Sequence, residues 1–151
     1  SDFEVRHGMH MPTLDTKEKQ DIWWNRFAEW RNSAKAIQWC MFDRASGDYI
    51  GLMTIKEIDL LHGRGEIGYS ILKGHWRKGF GSEGASAALK YGFEVVNLHT
   101  LIAQIATDNV GSQKIVKGLG MVQEAHFVEA HFYDGKFYDT LQFSKINPGH
   151  I

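Results

Sequence analysis

A strand that runs into a basic, glycine-rich turn is the feature of this sequence that most restricts its fold. Residues 66–72 alternate and are rich in Ile and Tyr, a pattern typical of a β-strand. Residues 82–96 instead repeat small or apolar side chains at the spacing of one helix face. The turn between them, residues 77–82, reads Arg-Lys-Gly-Phe-Gly-Ser. We therefore predict a strand, a basic loop and a helix start in direct succession.

Glycines at the start of a helix favour an anion as ligand. A glycine lets the backbone approach a ligand closely, and the first N–H groups of a helix have no partner within it. The helix dipole adds partial positive charge at the same place. Arg77 and Lys78 contribute two cations beside it. The turn thus predicts a phosphate or pyrophosphate site.

The same glycines also match the dinucleotide fingerprint G-x-G-x-x-G. The matching positions are Gly79, Gly81 and Gly84, and Asp108 imitates the acidic ribose ligand of that fold. In a Rossmann unit, however, an apolar strand leads straight into the first glycine. Here residues 73–78 intervene, and antiparallel strands are predicted before them. We therefore set the Rossmann interpretation aside.

Composition favours one domain and disfavours several kinds of partner. The 151 residues are 43% hydrophobic and 13% aromatic, enough for a single sizeable core. A formal net charge of −1 disfavours generic binding to nucleic acid or to an anionic membrane. No apolar run approaches the roughly 20 residues needed to span a bilayer. Cys40 lies in an apolar run, so we expect an inert, buried thiol. Because a single cysteine cannot form an internal disulfide, we expect a cytoplasmic location.

The other patterns predict helices and strands in an α+β order. A helix is expected from Asp15 to about Asn32, with an aromatic stripe that packs in the core or walls a substrate groove. Strands are expected at residues 36–42, 49–58 and 100–106. A second ligand-facing helix begins at Asp108-Asn109 and ends at Gly118-Leu119-Gly120. The aromatic stripe consists of Trp23, Phe27 and Trp30.

The C-terminal part predicts a long hairpin, and its histidines raise the question of a metal. Strands at 121–133 and 136–145 flank Asp134-Gly135, the turn pair with the strongest hairpin signal. His126 and His131 are an odd number of residues apart, which places them on opposite faces of a regular strand. No cysteine accompanies them. We therefore expect no metal site.

Three motifs in this order resemble the GCN5-related N-acetyltransferase (GNAT) superfamily. Residues 77–82 resemble its R/Q-x-x-G-x-G/A pyrophosphate loop in their basic pair and in the alternating glycines Gly79 and Gly81. Residues 109–112, Asn-Val-Gly-Ser, followed by 118–121, Gly-Leu-Gly-Met, resemble its helix from N-x-x-S/A to L-G-F. The resemblance covers about residues 15–145. Within the superfamily, residues 66–69 and the hairpin at 132–139 look most like the ribosomal-protein alanine acetyltransferases, which modify protein N-termini.

This resemblance implies a fold and a cofactor. The fold is a mixed α/β GNAT fold, with a mostly antiparallel central sheet splayed between the fourth and fifth family strands and flanked by helices. We expect one acetyltransferase domain over residues 1–151, whose natural chain could extend further at its N-terminus. Acetyl-coenzyme A (acetyl-CoA) is the implied acyl donor. The implied cofactor-binding residues are Ile71, Leu72, Arg77, Lys78, Gly79, Phe80, Gly81, Ser82, Glu83, Gly84 and Asn109.

The family chemistry is direct attack of an amine on the thioester, and it suggests roles for particular residues. Many relatives use a tyrosine seven residues after the asparagine to protonate the thiolate, but this chain has Val116 there. Ser112 is the candidate hydrogen-bond donor to the sulfur, or a small residue for close packing. Glu66 is the candidate base, acting through water, or a solvated or salt-bridged carboxylate. Asn109 binds the pantetheine arm, caps its helix, or does both.

The sequence leaves several classes of acceptor amine open. A protein N-terminal α-amine, with a pKa of about 7.7 to 8.0, asks less of a base than a lysine-like amine at about 10.4. A polyamine or an aminoglycoside is an alternative, since Glu124, Glu129, Asp134 and Asp139 could attract a cation. Tyr133 and Tyr138 line the acceptor groove or pair across strands. A non-catalytic acyl-CoA-binding relative, as a monomer or homodimer, is the remaining alternative.

Overall fold

The computed structural model describes residues 16–149, which form one mixed sheet and three α-helices. The sheet order is β1-β2-β3-β4-β6-β5, and all neighbours are antiparallel except β3 and β4, which run parallel. A short 3₁₀ turn, Lys73–His75, follows β3. The elements are α1 (Lys17–Asn32), β1 (Ile37–Phe42), β2 (Tyr49–Asp59), β3 (Arg64–Ile71), α2 (Phe80–Glu94), β4 (Thr100–Ala106), α3 (Val110–Gly118), β5 (Val122–Tyr133) and β6 (Lys136–Ile146).

The predicted element types and order are confirmed. Strand β4 has the predicted bounds, and both hairpins form around the predicted turns. Helix α2 begins two residues before the predicted start, because Gly79 caps it in the left-handed conformation at φ 85°. None of the helices within residues 16–149 is sufficiently long and apolar to cross a membrane.

The core lies between α2 and the sheet. Helix α2 packs across β2, β3 and β4, and its buried face carries small residues as well as Leu89 and Phe93. Met53, Ile55 and Leu101 meet that face from the sheet. At Gly92 the helix lies close to the sheet: an added Cβ would lie 2.7 Å from Leu101 Cδ1 and 3.1 Å from Ile55 Cδ1. Burial of this face fixes the position of α2, and so the position of its first turn.

The expectation of a buried Cys40 is wrong, because the thiol is exposed. Cys40 lies on β1, an edge strand of the sheet. Its neighbours Trp39 and Met41 turn toward α2, where Trp39 stacks edge-on against Tyr91 at 5.1 Å between ring centroids. Since side chains alternate along a strand, Cys40 points to the other face. The stripe Trp23, Phe27 and Trp30 lies outside the described side chains, and Asp15 outside the described residues.

A bulge interrupts the terminal hairpin. The register passes from the pair Phe127 and Thr140 to the pair His131 and Tyr138, so three residues of β5 oppose one of β6. Glu129, within the bulge, has φ 49°. The Asp139 carboxylate closes it: one oxygen accepts the Glu129 N–H at 2.9 Å, and the other lies 2.7 Å from His126 Nε2. Both contacts lower the pKa of Asp139, and the hydrogen bond from the Glu129 N–H has the larger effect on it.

Replacement of Asp139 tests the bulge. A carboxyl whose folded-state pKa lies below its unfolded value of 3.8 stabilises the fold above that value. This contribution disappears as the pH falls through the lower, folded-state pKa. We expect Asp139→Asn to lower the melting temperature at pH 7 and to match the wild type in strong acid. An equal difference at both pH values would contradict the assignment.

Replacement of Gly92 tests the contact between α2 and the sheet. Gly92→Ala should lower the free energy of unfolding by about 1 to 3 kcal/mol, since the new methyl overpacks the contact with Leu101. Urea unfolding measures the change. Gly118→Ala is the matched control, because a Cβ at Gly118 meets nothing within 4 Å. An unchanged stability in Gly92→Ala would show that α2 shifts without cost.

Candidate active site

The parting of β3 and β4 creates the candidate site. The two strands pair only where residues 64–66 face residues 100–102, and beyond that point they diverge. Because parallel strands end at the same edge of a sheet, the helices that follow them, α2 and α3, both begin beside the gap. The site therefore combines two helix N-termini with an opening in the sheet.

The larger cavity is a groove of about 840 Å³ between the starts of α2 and α3. Most of the predicted cofactor-binding residues line it: Ile71, Arg77, Gly79, Phe80, Gly81, Ser82 and Asn109. The predicted Lys78, Glu83, Gly84 and Leu72 do not line this groove. Further lining residues that sequence reasoning missed include Tyr69, His75, Trp76 and Lys114.

The basic loop presents unpaired backbone donors to this groove. The first helical bond of α2 joins Glu83 N–H to Gly79 O at 3.0 Å. The three N–H groups before Glu83 therefore have no acceptor within the helix. Gly81 is buried, and a Cβ there would lie 2.9 Å from Ile115 Cδ1 on α3. This close approach of the two helices keeps the donors together at one end of the groove.

The structure corrects two of the predicted cofactor contacts. The Leu72 N–H donates to Ile50 O at 2.9 Å and its carbonyl accepts from His75 N at 2.9 Å, so neither group awaits a ligand. Gly84 faces away from the groove, since a Cβ there would lie 2.6 Å from Met41 Cε. We therefore attribute the glycine at position 84 to packing of the helix on the sheet.

The β3 backbone donors that face the gap belong to Ile71, one of the two predicted residues, and to Tyr69. Leu72 bonds to β2, and an antiparallel pair alternates, so the N–H groups of Ile71 and Tyr69 turn away from β2 toward the gap. The Ile71 carbonyl is occupied, because it accepts the Trp76 indole N–H at 2.6 Å. The gap-facing edge of β3 thus offers N–H donors at Tyr69 and Ile71.

A second, polar cavity of about 300 Å³ opens on the other side of the gap. Its polar side chains come from β2 to β6 and include Lys56, Glu66, Gln104, His131 and Thr140. It shares Tyr69, Asn109 and Ser112 with the groove. The two cavities therefore meet at these three residues.

Glu66 lies in the second cavity and forms an ion pair. Its carboxylate is 2.9 Å from Lys56 Nζ, across the register pair that joins β3 and β2. The sequence left Glu66 as a base or as a solvated or salt-bridged carboxylate, and the ion pair matches the salt-bridged alternative. The ion pair is made by Oε1, and the role of this carboxylate as a base acting through water stays a prediction.

Asn109, Ser112 and Tyr69 are joined by hydrogen bonds where the cavities meet. Asn109 is the N-cap of α3, and its Oδ1 accepts the Ser112 N–H at 3.1 Å. The Tyr69 hydroxyl donates to the Ser112 carbonyl at 3.4 Å. Burial raises the pKa of Tyr69, and a hydrogen bond with Ser112 opposes this effect. Sequence reasoning did not give Tyr69 a role, because strand alternation alone does not reveal which helix a side chain meets.

The other predicted residues lie apart from this point. Val116 is fully buried in the core. Tyr133 faces Lys136 and Tyr138 faces His131 across the terminal hairpin, and neither tyrosine lines the two cavities described above. Within residues 16–149 there is no group of three or more His, Cys, Asp or Glu side chains that could hold a metal ion.

Sequence comparisons identify relatives of this chain. A family model described as an acetyltransferase (GNAT) domain matches residues 1–122. An uncharacterized N-acetyltransferase of Bacillus subtilis, YoaA, is 30% identical over 124 residues, which are 82% of this chain and 70% of that protein. The spermidine N(1)-acetyltransferase of Vibrio cholerae is 33% identical over 85 residues, 56% of this chain and 49% of that protein.

Structural comparison supports the same fold. A crystal structure of spermidine N-acetyltransferase from Vibrio cholerae, in complex with CoA and spermine, aligns with a TM-score of 0.82 at 22% identity. The alignment covers 95% of this chain and 83% of that one. These relatives give no support to the resemblance to the alanine acetyltransferase branch. With the family match over residues 1–122, they show that this chain belongs to the GNAT acetyltransferases, acyltransferases that use acetyl-CoA.

Proposed function

We propose that this chain transfers the acetyl group of acetyl-CoA directly to a primary amine of a small polycationic acceptor of the polyamine class. The observation that carries the proposal is the meeting of two cavities at Tyr69, Asn109 and Ser112. A thioester that lies in the groove and an amine that enters from the polar cavity would come together there. Direct transfer then needs no acyl-enzyme, because both reactants reach one point.

The donor side of the proposal rests on the groove. The pyrophosphate would lie on the first N–H groups of α2, beside Arg77, where unpaired donors and the helix dipole favour an anion. The pantetheine would run along β3, whose Ile71 and Tyr69 N–H groups face the gap. Asn109 lines the groove at the start of α3, which its Oδ1 caps, and we assign it to bind this arm.

The acceptor side rests on the charge of the polar cavity. A primary aliphatic amine resembles a lysine, with a pKa of about 10.4, so only about one molecule in a thousand is neutral near pH 7.4. Such an acceptor arrives as a cation and needs a base. Glu66 is the carboxylate that lines this cavity, and we assign it that role, through water. Glu124 and Asp139 are already engaged, with Gln142 and with His126 respectively.

Two comparisons favour a polyamine over a protein N-terminus. One relative in sequence is a spermidine N(1)-acetyltransferase, and one relative in fold was crystallised with spermine. A protein N-terminal α-amine is the second candidate, because residues 66–69 and 132–139 resemble enzymes that modify such amines. The lower pKa of an α-amine would also require a weaker base, and Glu66 is already ion-paired with Lys56.

An acceptor panel tests the proposed function. Release of free thiol from acetyl-CoA is measured with polyamines, an aminoglycoside, peptides with free N-termini and the same peptides blocked. We expect polyamines to accelerate release above the rate without acceptor. Acceleration by free N-terminal peptides alone would move the assignment to the second candidate. Binding of acetyl-CoA with no acceleration by any acceptor would indicate a non-catalytic relative.

Replacement of Gly81 tests the cofactor cradle. An aspartate there would place a negative charge about 5 Å from the pyrophosphate, and this repulsion costs about 3 kcal/mol at an effective dielectric constant of about 20. Its side chain would also push on Ile115. We expect Gly81→Asp to weaken CoA binding by more than about 100-fold in calorimetric titration. Gly74→Asp adds the same charge in open space a few residues earlier, and it should lower the affinity for CoA much less. Equal losses in both variants would attribute the effect to charge alone.

A further inference from the structure

We propose that the Tyr69 hydroxyl donates the proton to the thiolate that leaves during acetyl transfer. This inference rests on the proposed function. It assigns a proton donor in a chain that has Val116 at the position where many family members have a tyrosine. Val116 is fully buried and has no proton to give. Tyr69 reaches the site from β3 instead of from α3.

The position of Tyr69 is the first argument. It lines both cavities, so its side chain borders the point where donor and acceptor would meet. Its ring lies about one contact distance from the buried Gly81, with 4.0 Å between its Cε2 and a Cβ built on that glycine. Its hydroxyl lies 3.4 Å from the Ser112 carbonyl, at the first turn of α3. The hydroxyl is thus held between the two helix starts.

The acidity of the available hydroxyls is the second argument. A thiol has a pKa of about 8.5 and an unperturbed tyrosine about 10, so a phenol is much closer in acidity to the thiol it would form than an aliphatic hydroxyl is. A serine hydroxyl is a far weaker acid. Ser112 can therefore donate a hydrogen bond to the sulfur, but Tyr69 is the better source of the proton itself.

The protonation state of Tyr69 is the third argument. Burial raises its pKa, so the phenol keeps its proton throughout the neutral range. The nearby carboxylate that lines the same polar cavity, Glu66, is neutralised in part by Lys56. The other titratable groups that line its two cavities are His75, Arg77, Asp108, Lys114 and His131.

The proposed step balances. The amine, after losing its extra proton to water beside Glu66, attacks the thioester carbonyl and forms the C–N bond. When the C–S bond breaks, its electron pair stays on sulfur, and the Tyr69 proton moves to that sulfur to give free CoA thiol. The nitrogen releases its second proton to water, and the resulting tyrosinate takes a proton back from water. The net reaction converts amine and acetyl-CoA into amide and CoA.

Tyr69→Phe is the direct test. The ring and its packing are retained while the proton is removed, so kcat should fall by about 100-fold and the Kd of CoA should change little. Ser112→Ala removes only a hydrogen bond and should lower kcat by about tenfold or less. A Tyr69→Phe variant that binds CoA and keeps wild-type kcat would overturn the inference.

A fluorinated tyrosine separates a proton donor from a structural hydroxyl. Replacement of Tyr69 by a fluorotyrosine lowers the phenol pKa and leaves the shape nearly unchanged. If Tyr69 must be protonated, the basic limb of the kcat against pH profile moves to lower pH. A limb that stays in place would overturn the inference. Failure of the proposed function looks different, because the wild-type chain itself would then show no acceptor-dependent thiol release.

Discussion

The early separation of two parallel strands is the constraint on which the rest of the site depends. Strands β3 and β4 share only a three-residue register before they part, and each continues into a helix. Because α2 is fixed on the sheet by its buried face, and α3 contacts it through Ile115 at Gly81, the helices hold the opening apart. The opening leaves β3 donors unpaired on one side and joins the two faces of the sheet.

Three glycines with the spacing of a dinucleotide fingerprint have three different functions here. Gly79 supplies a left-handed cap, Gly81 permits contact between two helices, and Gly84 permits contact between helix and sheet. A spacing motif records only where side chains are missing. The surrounding strands decide why each is missing, which explains how an unrelated fold can share the same letters.

Local patterns predicted most of the fold, because periodicity and turn chemistry act over a few residues. The hairpin at Asp134-Gly135, strand β4 and the N-cap at Asn109 follow from such signals. The errors concern partners distant in sequence. Exposure of Cys40 depends on which face of β1 meets α2, and the occupied groups of Leu72 depend on Ile50. Likewise, only the register of β2 and β3 brings Lys56 to Glu66, and only two helix starts give Tyr69 its surroundings.

The exposed thiol on the edge strand limits how copies of these 151 residues could be joined covalently. Cys40 is their single cysteine, and its side chain is open to solvent. A disulfide made by these residues must therefore join another molecule, and each copy can form only one such bond. Oxidation can couple two copies through β1 but cannot extend the pair into a polymer. Covalent growth of such an assembly thus ends at the dimer.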